Sequence, residues 1–76
     1  MKLSTRIGKK DLEAVERRVN SMLRKIQLKV SSRYGYTAID ITDKRGNMIG
    51  TLATGLSKRQ AYEILEAIAE VLMREG

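Results

Sequence analysis

Residues 36–72, YTAIDITDKRGNMIGTLATGLSKRQAYEILEAIAEVL, read as two short strands around a glycine turn that run directly into a capped helix. In the first strand Thr37, Ile39 and Ile41 alternate with Tyr36, Ala38 and Asp40, the period of two that marks a strand with one face on a core. Asp43, Lys44, Arg45 and Gly46 form the hairpin turn, and the next strand runs from Asn47 to about Thr54. That strand carries Met48 and Leu52 on one face and Ile49, Thr51 and Ala53 on the other. A slip of one residue exchanges the two faces. Pairing Asp43 with Met48 gathers Ile39, Ile41, Met48 and Leu52 on one side, the more apolar solution, and is the expected register.

The helix that follows has an explicit start. Ser57 stands at the cap, Gln60 three residues later completes a capping box, and Leu56 is placed for a hydrophobic staple. The helix is expected from Lys58 to about Arg74. Its apolar residues between Ala61 and Met73 cover an arc of about 200° at ~100° per residue, wider than packing on one sheet requires. Glu63, Glu66 and Glu70 fill the remaining stripe. Either the first helix covers the excess, or Ile64, Ile68, Val71 and Met73 form a seam with a second copy or another protein.

Working back from Tyr36, SSRYG forms a tight turn in which Gly35 is free to take positive φ. Before it, Ile26, Leu28 and Val30 alternate with Gln27, Lys29 and Ser31 in another strand. Leu12, Val15, Val19, Met22, Leu23 and Ile26 fall within an arc of roughly 100° and define a one-sided helix. Asp11, Glu13 and Glu16 lie early and Arg24 and Lys25 late, in keeping with the helix dipole. A first helix continued to Val30 is the alternative, and leaves an αββα domain. The β-branched and polar run QLKVSS is poor helix sequence and favours the strand. The expected class is α+β, a small two-layer αβββα domain with an antiparallel sheet and both helices on one face.

With 76 residues, no Cys and no Pro, the chain makes a single domain over residues 1–76 without disulfides or cysteine-bound metal. Residues 1–8 read as a flexible basic N-terminal segment. A chain of this size buries only about 60–65% of its unfolded surface, and this one has neither Phe nor Trp to add bulk, so dimerisation is a natural remedy. No apolar run approaches the roughly 20 residues that span a bilayer, and no apolar stretch follows the charged start. A cytoplasmic location without a membrane partner is expected.

The net charge of +6 is unevenly placed: residues 1–45 carry 12 Lys and Arg against 5 Asp and Glu, while residues 46–76 carry 3 against 4. Such asymmetry favours a polyanionic partner, nucleic acid first, although a solvated basic surface that keeps the protein soluble has the same composition. In an antiparallel meander the turn near Arg33 and Tyr34 lies at the end of the sheet where the last helix starts. The first helix ends beside the Lys44 and Arg45 turn, so its own start returns to the other end. Lys9, Lys10, Arg33, Lys58 and Arg59 are therefore expected to converge on one edge, a surface that a phosphate backbone engages.

Tyr36 to Asp43, Gly46, Gly50, Gly55 and Ser57 to Ala61 resemble the C-terminal half of the double-stranded RNA-binding domain, a family with the same order of elements. The resemblance implies that Lys58 and Arg59 take the family's phosphate-contacting role at the helix start, with the first helix and first turn reaching minor grooves. Two departures stand against it. The family's third helix cation falls on Tyr62, and the first turn is too short for the family's loop. The GYTAIDI and GLSKRQAYEIL stretches are also similar to small uncharacterised proteins of phage and mobile elements of Gram-positive bacteria, which implies no particular activity.

The residue set argues against catalysis, since there is no His or Cys to act as base or nucleophile. Asp40 and Asp43 fall on opposite faces of a strand, which makes them exposed strand and turn carboxylates rather than a metal pair. Gly46, Gly50 and Gly55 form no phosphate-binding loop. No cofactor and no metal are expected. Two function classes remain: a basic nucleic-acid-binding module, with duplex RNA as the partner implied by the resemblance, and a protein-interaction or homodimerisation module. The second would use the last helix or the open sheet face with Lys29 and Tyr36.

Overall fold

A computed structural model describes residues 7–75. The elements are α1 (Lys9–Met22), β1 (Ile26–Arg33), β2 (Tyr36–Asp43), β3 (Met48–Leu56) and α2 (Lys58–Glu75), the expected αβββα order. Most of the flexible segment expected at residues 1–8 lies outside the described residues. Of its described part, Ile7 packs against the core and Gly8 caps α1, its N–H donating to Asp11 Oδ2 at 2.9 Å.

The longer first helix is not formed. At Leu23 the backbone turns extended, and its N–H donates to the Asn20 carbonyl at 3.3 Å, closing the helix before β1 begins. The three strands form one antiparallel sheet in the order β1-β2-β3. Both helices cover one face. Leu12, Val15 and Val19 of α1 meet Ala61, Leu65 and Ala69 of α2 above Leu28 and Ile39 of the sheet. The two fully buried alanines let the helices approach closely, while a fully buried Leu65 or Ile39 contributes about 1.5–3 kcal/mol of transfer free energy. Ile64, Ile68 and Leu72 pack partly against this core, so α1 and the sheet take up only part of the wide apolar arc of α2.

The β1–β2 ladder is unbroken from Ile26↔Asp43 to Arg33↔Tyr36. The β2–β3 ladder corrects the sequence reading. Ile41↔Gly50 and Asp40↔Thr51 keep the expected offset, but the pairing shifts on both sides, to Thr42↔Met48, Ile39↔Ala53 and Thr37↔Leu56. Each shift leaves extra residues on β3, around Ile49, Leu52 and the Thr54–Gly55 pair, where Gly55 takes φ 69°. The inward positions of β3 therefore recur every third residue, at Gly50, Ala53 and Leu56. Met48 and Leu52, expected beside Ile39 and Ile41, are exposed instead.

A second correction concerns Asp40, expected to be exposed. It is only 5% exposed, although no helix covers its face of the sheet. Arg33 Nη2 donates to both of its carboxylate oxygens at 2.7 Å, with Ser31 Oγ at 3.0 Å and Thr51 Oγ1 at 3.4 Å. Neighbours from β1 and β3 thus close over the middle of β2 and satisfy the charge they bury. The outer edge of β1 is also occupied. Asn20 accepts from the Leu28 N–H at 2.8 Å and donates to the Leu28 carbonyl at 2.9 Å, and Glu16 accepts from the Val30 N–H at 2.7 Å.

Candidate nucleic-acid interface

Both helices begin at the end of the sheet that carries the β1–β2 turn. There a groove is lined by Lys9 of α1, Gly35 of the turn, Tyr36 of β2 and Lys58 of α2, over apolar Leu12 and Val30. Lys9 and Lys58, 49 positions apart in sequence by their numbers, are thus brought to one opening. The meander produces this: β2 leaves that end, β3 returns to it, and Leu56 opposite Thr37 hands the chain to α2.

The two helix starts differ electrostatically. At α1 the cap uses a carboxylate, Asp11, in the first turn. At α2 the cap is neutral: the Ser57 N–H donates to Gln60 Oε1 at 2.9 Å, and the Gln60 N–H donates to Ser57 Oγ at 3.1 Å. The first turn of α2 has no acid, so the positive end of its dipole adds to Lys58 rather than being offset. This capping box is the one expected from the sequence.

The other expected cations sit differently. Lys10 and Arg59 are exposed in the first turns of α1 and α2. Arg33 is drawn along the open face of the sheet into its ion pair with Asp40, which offsets its charge and keeps it from lining the groove. Of the residues expected at a partner surface, Val71 and Met73 are exposed while Ile64 and Ile68 are half-buried. The Met73 sulfur accepts from Arg18 Nη2 at 3.2 Å, which ties the end of α2 back to α1.

Most of the acids have partners within the chain, several of them at its surface. Asp11 caps α1, Glu16 holds the β1 edge, Asp40 binds Arg33, Asp43 closes a turn, and Glu66 and Glu70 pair with Arg18 and Arg74. Lys9, Lys10, Lys29 and Lys58 have no carboxylate partner among the described residues. The charges left to act outward are mostly positive, which strengthens the inference from net charge. The sequence reading passed over two features. Arg24 and Lys25 share the far end of the sheet with Lys44 and Arg45, and Lys44 Nζ donates to the Leu23 carbonyl at 3.5 Å. The signal was the expected placing of the first helix's end beside the Lys44 and Arg45 turn, which the pairing of Ile26 with Asp43 bears out. The second feature is Tyr34 at the tip of the β1–β2 turn, where Tyr-Gly stands in place of the Asn-Gly that such turns favour.

Comparison with known protein families, curated proteins and solved structures yields no match.

Proposed function

We propose that this chain is a small, non-enzymatic, basic nucleic-acid-binding module that grips the phosphate backbone at the end where both helices start. The observation that carries this reading is the groove flanked by Lys9 and Lys58, beside an α2 start with no acid of its own. The pairing of most acids within the chain supports it. Backbone contact of this kind gives binding with little base preference and a steep dependence on salt. Duplex RNA is the first partner to try, because the element order and the Ser57–Lys58–Arg59 helix start resemble the double-stranded RNA-binding domain. A cytoplasmic location goes with this reading; among the described residues no helix is long and apolar enough to cross a membrane.

The test is fluorescence anisotropy of the purified protein with labelled duplex RNA, duplex DNA and single strands at several salt concentrations. Replacing Lys9 and Lys58 together by Ala should weaken binding to all sequences about equally and flatten the salt slope by about two units. Absence of salt-sensitive binding by the wild type, or an unchanged slope in the double variant, rules the assignment out.

A second reading rests on apolar residues left in solvent. Met48, Ile49 and Leu52 of β3 and Val71 and Met73 of α2 are all exposed. Such side chains serve a protein partner or a second copy through side-chain packing, with an affinity that salt leaves unchanged.

A further inference from the structure

The tip of the β1–β2 hairpin carries a conformational anomaly. Arg33 and Tyr36 pair across the ladder, leaving Tyr34 and Gly35 as a two-residue turn with φ 53° and 81°. Positive φ at both central positions defines a type I′ turn, whose first position favours Asn, Asp or Gly. A bulky aromatic there is a genuine outlier, and Tyr34 is the only non-Gly residue with positive φ among the described residues. Packing does not compensate for it: the side chain is 99% exposed and rests on nothing. An observed backbone strain with no structural return is a pointer to function.

The surroundings indicate what the ring meets. Gly35 and Tyr36, the next residues in the chain, line the groove that holds Lys9 and Lys58. Arg33 precedes it, and Tyr36 is itself 60% exposed beside Arg33 in the ladder. A large exposed π-face one residue from a groove that holds two lysines suits a ligand in which a flat aromatic group adjoins a phosphate. Aromatic side chains on basic surfaces stack single-stranded bases in this way, without sequence preference. Inside a continuous duplex both faces of each base are already covered.

Building on the nucleic-acid reading above, we infer that Tyr34 stacks on an unpaired base, in a single strand or at a duplex end, while Lys9 and Lys58 hold the neighbouring phosphates. The partner then offers at least one accessible base, so a duplex RNA would be held at an end or an interruption rather than along its paired length.

The turn geometry supplies a clean variant. Tyr34→Asn places a favoured residue at the same φ, so the variant should fold at least as well, with an equal or higher denaturation midpoint. Its affinity for a labelled single-stranded oligonucleotide should fall about 5- to 100-fold, and Tyr34→Trp should restore it. The salt slope should stay as in the wild type, because a stacking contact releases no counterions. A single strand made of abasic sugar-phosphate should bind wild type and Tyr34→Asn alike. If the wild type binds single strands and Tyr34→Asn binds them equally well, the stacking role is overturned, the nucleic-acid reading stands, and the exposed ring is left to a protein partner. If the wild type binds no nucleic acid at low salt, the underlying reading fails, and this one with it.

Discussion

Asp43 shows how one side chain shapes the β2–β3 turn. Its carboxylate accepts from the Asn47 and Arg45 backbone N–H groups, each at 2.9 Å, and from the Asn47 side chain at 3.2 Å. The Asn47 backbone bond is the foremost cause holding its pKa below the ordinary 3.8; the cost of burial opposes it, and the Asn47 side chain and the Arg45 and Gly46 backbone groups add to the lowering. A carboxyl whose folded pKa is depressed stabilises the fold above its unfolded pKa, and that contribution is lost as pH falls through the lower folded value. Asp43→Ala should therefore lower the urea midpoint at neutral pH and narrow its gap to the wild type as pH falls below the ordinary carboxylate value of 3.8 and through the lower folded one. An equal gap at both pH values would deny the carboxylate this role. The turn itself was legible, because Asp43 and Gly46 are turn residues by their own chemistry. The burial of Asp40 was not. Strand alternation assigns a side chain to a face, but Arg33, Ser31 and Thr51 close over that face only once the register and the bulges are set.

At the scale of elements, the strands and α2 came through the sequence with their boundaries nearly intact, since periodicity and capping are local properties. By contrast, α1 ends at Met22, short of the expected Ile26, and leaves Arg24 and Lys25 beyond its last turn. β3 is the exception in its facing. Its inward residues are Gly50, Ala53 and Leu56, a period of three that no alternation rule recovers, and the first two carry little apolar signal. The contact between α1 and β1 was equally hidden, because Asn20 reads as one more polar residue in a helix. It bonds both backbone groups of Leu28, on the edge of the strand that β2 does not pair. Asn20→Ala should cost about 1–2 kcal/mol in urea denaturation, through partly buried peptide groups left without partners. A loss below about 0.5 kcal/mol would show that water replaces the amide there.

For the whole molecule, the convergence of Lys9 and Lys58 was legible from topology alone, since a meander fixes which ends meet. Arg33 joined that expected group by position, but its charge is spent on Asp40. The apolar residues gather on β3 and the outer side of α2, which sets the check on the second reading. Val71 is 59% exposed, so Val71→Glu should leave the fold intact within about 0.5 kcal/mol. If a second copy seats there, the variant lowers the mass seen by light scattering at high concentration, and salt does not mimic the change. A monomeric wild type at every concentration would remove the homodimer. Residues 46–57 contain no charged side chain, a composition that in a straight edge strand invites sheet-to-sheet growth. In the folded chain β3 breaks its ladder at three places, and Asn20 and Glu16 occupy the other edge. Neither side of the sheet offers a straight template for another strand. Resistance to amyloid-like association is therefore a property of the folded state, and partial unfolding that frees β3 would be the step that exposes this chain to aggregation.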